Sequence, residues 1–139
     1  MCLVRFENLL KIMKIIIVLL CAFVALSTQD QASEDSMKKI FVECGKENNI
    51  TAEQGKQIEK KNFPNEPNVK CFLKCGMVKM NLMNGDTNAI DYDKIINTDL
   101  PQTTTESRTK VVNACKNINN SNGCELAYDF TLCWIKNEN

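Results

Sequence analysis

Apolar positions recur at three- and four-residue spacing along most of the chain, and that period predicts helices joined by short turns. A first helix is expected from about Ser33 to Lys46, with Met37, Ile40, Phe41 and Cys44 on one stripe and Ser33 as its cap. Thr51 followed by Gln54 has the form of a capping box, opening a short second helix that ends near Lys61. The run Phe63 to Pro67 is the strongest break, because Pro64 and Pro67 both resist helix continuation while Pro67 suits a first helical turn.

A third helix is expected over about Asn68 to Met83. At about 100° per residue, Cys75, Val78 and Leu82 fall within about 40° of Cys71. Val69, Leu73, Met77 and Met80 lie on the opposite side, at about 160° to 240°. The helix therefore meets two apolar environments, one carrying cysteines and one carrying flexible side chains. After a turn at Asn84-Gly85-Asp86, a weaker fourth helix spans Tyr92 to Thr98 and Pro101 ends that segment. Thr103 with Glu106 predicts the cap of a fifth helix running to about Asn117, with Val111, Cys115 and Ile118 inward. Asn122 with Glu125 opens a sixth. It places Leu126, Phe130, Cys133 and Trp134 on one side and Cys124, Tyr128, Leu132 and Ile135 on the other, which predicts near-burial between neighbours.

The amino terminus departs from this pattern. Ile15 to Leu26 is a run of twelve apolar residues behind Lys11 and Lys14, with small residues at Ala25 and Ser27 at its end. It is shorter than the roughly 20 residues of a membrane span. Residues 1–27 therefore read as a secretory signal, cleaved after Ser27, and 28–139 as the mature domain without stable membrane insertion. Met13 would also serve as a start, since Met-Lys and the apolar run already form a complete signal.

Composition narrows the chemistry. The 139 residues are 44% apolar, enough for one modest core, and contain eight cysteines and no histidine. Without imidazole there is no Ser-His-Asp or Cys-His nucleophile pair and no histidine zinc ligand, so an enzyme is not expected and neither a metal nor a cofactor is called for. The 17 basic and 17 acidic residues balance, and beyond residue 27 the balance is 14 against 16. No basic excess exists for nucleic acid. Six cysteines remain past the leader, an even number that reads as three disulfides in a secreted chain. Cys71 and Cys75 sit one turn apart, and Cys124 and Cys133 about 180° apart, so each should reach a different element. Fifteen connectivities are formally open. The triplets Asn49-Ile50-Thr51 and Asn119-Asn120-Ser121 match the glycosylation acceptor pattern, with no role assigned to them.

The cysteine spacing is Cys44, 26 residues, Cys71, three residues, Cys75, 39 residues, Cys115, eight residues, Cys124, eight residues, Cys133. It resembles the insect odorant-binding protein family, in particular the six-cysteine group that includes pheromone-binding proteins. The resemblance implies a compact all-α domain of six disulfide-linked helices around an internal apolar cavity. It also implies the pairs Cys44 with Cys75, Cys71 with Cys124, and Cys115 with Cys133. The function it implies is a secreted, extracellular carrier of small hydrophobic ligands such as odorants or pheromones, monomeric or homodimeric, with an olfactory receptor as a further partner. The same fold serving as a carrier or scavenger in a glandular secretion is an alternative, and a disulfide-rich toxin or protease inhibitor a more distant one. Expected ligand contacts are Leu73, Met77, Met80, Met83, Val111, Ile118, Phe130 and Trp134, with Tyr92, Ser107, Tyr128 and Thr131 as hydroxyls a ligand could meet. Only six residues follow Cys133, too few both to finish the last helix and to fill a distant cavity. Affinity is therefore expected to be nearly flat between about pH 6 and 7.5.

Overall fold

Six helices follow one another through the structure, a computed structural model that describes residues 34–138. The predicted leader 1–27 and the Ser33 cap lie outside the described residues. Helix α1 covers 34–47. It is followed by α2 Ala52–Glu59, α3 Pro67–Lys79, α4 Tyr92–Asn97, α5 Thr105–Cys115 and α6 Gly123–Asn137. From Met37 onward the chain forms one compact unit. Among the described residues the only β pairing is an isolated antiparallel bridge between Met83 and Ile90.

Local chemistry sets the helix boundaries. The Thr51 hydroxyl accepts from the Gln54 amide while the Gln54 side chain accepts from the Thr51 amide, so two amides that α2 would leave unpaired are satisfied. The same Gln54, buried in spite of its polarity, donates to Glu66 and accepts from Asn68 at 2.9 Å. One side chain thus closes α2 and ties it to the start of α3, where Pro67 occupies the first turn.

The third helix ends four residues earlier than the sequence pattern predicts. Asn81 adopts a left-handed φ of 56°, and the amides of Leu82 and Met83 both turn back to the Met77 carbonyl, at 2.8 and 3.3 Å. These bonds satisfy the helix end and reverse the chain. Leu82 and Met83 therefore leave the angular positions a continued helix would give them. In the following turn the Asn84 side chain accepts from the amides of Asp86 and Thr87, both at 2.9 Å.

The cap of α5 lies one residue beyond the expected Thr103. Thr104 and Ser107 form the reciprocal pair, each side chain accepting from the other's amide at 3.1 Å. Thr103 is engaged elsewhere: its hydroxyl donates to the Leu100 carbonyl at 2.8 Å and accepts from Arg108 at 2.9 Å. Arg108, only 4% exposed, also donates to the carbonyl of Ile96 and the hydroxyl of Thr105. Its guanidinium stitches the end of α4, the connecting loop and the first turn of α5 into one corner.

Three disulfides complete the frame. Cys44–Cys75 joins α1 to α3, Cys71–Cys124 joins α3 to α6, and Cys115–Cys133 joins α5 to α6. The two cysteines of α3, one turn apart, thus hold different neighbours. With separations of 31, 53 and 18 residues, loop closure contributes about 3 to 4 kcal/mol for each bridge. The core between them includes Val69, Phe72, Ile95, Val111, Val112, Leu126 and Ala127. Lys79 adds a polar tie from α3 to α1, with its ammonium 2.7 Å from Glu47 and 3.1 Å from Glu43.

Candidate functional site

Because disulfides hold α1, α3, α5 and α6 at fixed spacing, their inner apolar faces need not collapse onto one another. They surround a cavity of about 1100 Å³. Met37, Phe41 and Val42 from α1 and Ile58 from α2 form one wall, with Ile50 and Phe63 from the adjoining segments. Phe72, Leu73, Gly76 and Met77 of α3 form another, and Ile95, Val111, Phe130, Trp134 and Ile135 close it from α4, α5 and α6. Aromatic contacts brace these walls: Phe41 stacks on Phe72 with ring centroids 5.8 Å apart, and Phe130 meets Trp134 at 6.1 Å.

The charged lining residues are Lys38, Glu59, Lys61 and Glu138, the last two forming an ion pair. The neutral polar side chains are Gln102, Thr103, Ser107 and Thr131. Phe41 and Val42 remain 41% and 57% exposed although they belong to the cavity wall, which marks the α1 side as its open edge. Such a site can shield an apolar guest from water.

Of the eight expected contacts, Leu73, Met77, Met80, Val111, Phe130 and Trp134 line this cavity. Met83 does not. The early end of α3 carries it to the bridge with Ile90, where it borders a separate polar depression with Asn81, Asn84 and Tyr92. Ile118 also stands apart, beyond the end of α5, where it packs against the core. Of the four hydroxyls, Ser107 and Thr131 line the cavity, whereas Tyr92 donates to the Lys116 carbonyl and Tyr128 to that of Phe63. Burial pushes the Tyr92 phenol above its ordinary range by disfavouring the charged form.

The sequence pattern did not single out Phe72, Gly76, Ile95 or the Leu100 to Thr103 loop as lining. Phe72 and Gly76 fall between the two stripes assigned to α3, and a stripe argument has no means of weighting a seam. Met37 and Phe41 were legible as the inward face of α1, but nothing local marked that face as cavity wall. The sulfurs of Cys44 and Cys75 lie near the Glu47 carboxylate, yet they are bonded to each other and offer no thiolate to a metal.

Among the described residues no helix is long and apolar enough to cross a membrane. No curated protein sequence matches the chain. Solved structures do. The chain is 27% identical to a medfly odorant binding protein, with 73% of this chain and 86% of that one covered and a TM-score of 0.61. It is 24% identical to an odorant binding protein of Locusta migratoria, covering 74% and 79% with a TM-score of 0.66. A third similar structure is odorant binding protein 7 of Anopheles gambiae, which has four disulfide bridges and was solved in complex with an azo compound. There the identity is 21%, the coverage 77% and 85%, and the TM-score 0.65. Residues 27–137 match the model of the PBP/GOBP family, and with that match over a six-helix, disulfide-framed fold the chain belongs to the PBP/GOBP family, as a carrier of small hydrophobic ligands.

Proposed function

We propose that this chain is a secreted, non-enzymatic carrier that takes an odorant, a pheromone or a similar semiochemical out of water into the cavity between its helices. The supporting observation is the cavity itself, about 1100 Å³ and walled by side chains from all six helices, most of them apolar. Burying apolar ligand surface there is worth about 25 cal/mol per Å² before the costs of association. That is enough to capture a sparingly soluble guest, and no step of covalent chemistry is needed.

In this reading residues 1–27 direct export and are removed. The six remaining cysteines oxidise on that route, and the ligand enters at the open edge beside Phe41 and Val42. Binding is tested by displacement of an apolar fluorescent probe from the oxidised mature chain by small apolar compounds. Mass spectrometry of what co-purifies from native tissue names the guest. A probe that fails to bind, or that binds equally well after the bridges are reduced and the helices lost, would overturn the proposal.

A further inference from the structure

We infer that the cavity favours guests bearing a hydroxyl, and that the oxygen of Thr131 receives the guest's proton. The inference rests on the carrier reading above and names a ligand chemistry for it. Among the described residues three hydroxyl side chains line the cavity, and all three have already spent their one proton. Thr103 donates to the Leu100 carbonyl at 2.8 Å, Ser107 to the Thr104 carbonyl at 2.9 Å, and Thr131 to the Ala127 carbonyl at 2.7 Å. None can donate to a guest.

Their acceptor capacity differs. Thr103 already accepts from the buried Arg108 guanidinium at 2.9 Å, and Ser107 from the Thr104 amide at 3.1 Å. Among the described residues no donor reaches the oxygen of Thr131, so its lone pairs are open to a guest. One turn further along α6, the indole N–H of Trp134 also has no hydrogen-bond partner among the described residues. An alcohol can donate to Thr131 and accept from Trp134, recovering what its hydroxyl loses on leaving water. The matching ether can only accept.

The test uses oxidised mature protein, a naphthylamine fluorescent probe, and three guests of equal chain length: dodecanol, its methyl ether and dodecane. A net hydrogen bond corresponds to about threefold to tenfold in affinity, so dodecanol is expected to displace the probe at a concentration lower by that factor than the ether. Thr131→Val, which removes the hydroxyl with little change of shape, is expected to abolish the difference between dodecanol and the ether, and Thr131→Ser to restore it. Trp134→Phe should weaken alcohol and ether alike. Equal displacement by dodecanol and its ether from the native protein overturns the inference and leaves the carrier reading standing, with no dependence on how any variant folds. Failure of all three guests to displace a bound probe overturns the carrier reading instead.

Discussion

Gly76 sits in the interior of α3 and is buried, yet a Cβ built on it meets no atom within 4 Å. It lines the cavity, so the open space is the cavity itself. Replacing it with alanine removes the entropic cost of glycine in a helix interior, about 0.5 to 1 kcal/mol, and no steric term opposes the gain. For a domain of this size the unfolding entropy converts that gain to a rise of roughly 2 to 5 °C in Tm. Gly76→Leu places four carbons in the same space. If they exclude two methylenes of a long-chain guest, at about 0.8 kcal/mol each, affinity falls roughly fifteenfold, while a short guest is spared. The assay is thermal unfolding of the oxidised protein by circular dichroism, paired with probe displacement by a series of alcohols of increasing length. A lower Tm for Gly76→Ala would show that the space at α3 is filled, and a leucine variant that binds long and short guests as the native protein does would place the guest elsewhere.

Peptide mapping of oxidised protein is expected to recover Cys44 with Cys75, Cys71 with Cys124 and Cys115 with Cys133, and a fragment joining Cys71 to Cys75 would dismantle the frame described above. Arg108→Met should destabilise by about 2 to 4 kcal/mol in denaturant unfolding, because the carbonyls of Ile96 and Thr103 lose their donor in a buried corner; Arg108→Lys should recover little, since a single ammonium cannot reproduce the fork. Emission of Trp134, the one tryptophan, should shift when an apolar guest binds, and an unchanged spectrum with a guest bound by another measure would remove it from the site. Hydrogen bonds to Glu47 and then Glu43 raise the pKa of Lys79 above 10.5, and burial raises that of Tyr92 above 10.0. Groups raised in the folded state contribute stability that is complete below their unfolded values and is lost as pH rises through the folded ones. Both losses therefore fall on the alkaline side, beyond about pH 10. With no histidine in the chain, affinity should stay nearly flat from about pH 6 to 7.5, and a steep fall near pH 6.5 in probe displacement would contradict this.

Features that depend on neighbours along the chain are legible in the amino-acid order alone. Helical periodicity, the Thr51 and Gln54 box, Pro67 at a first turn and the placement of Cys71 and Cys75 on one face all follow from short-range geometry, and the six-helix order follows from them. The pairing of the cysteines was readable only through the resemblance of their spacing to a known family, since the facing argument left several connectivities open. Tertiary structure decided where a helix stops when a packing interaction outweighs its pattern. Asn81 in a left-handed turn ends α3 early and carries Met83 out of the cavity, and Arg108 draws Thr103 into its own network so that Thr104 becomes the cap. It also decided which apolar residues are wall and which are core. Val69 and Leu73 share one stripe of α3, yet Val69 is fully buried and only Leu73 borders the cavity, because the distance to the facing helix is set by disulfides that join residues 18 to 53 positions apart. A periodic pattern specifies a direction around a helix axis; how much empty space lies in that direction depends on elements remote in the chain.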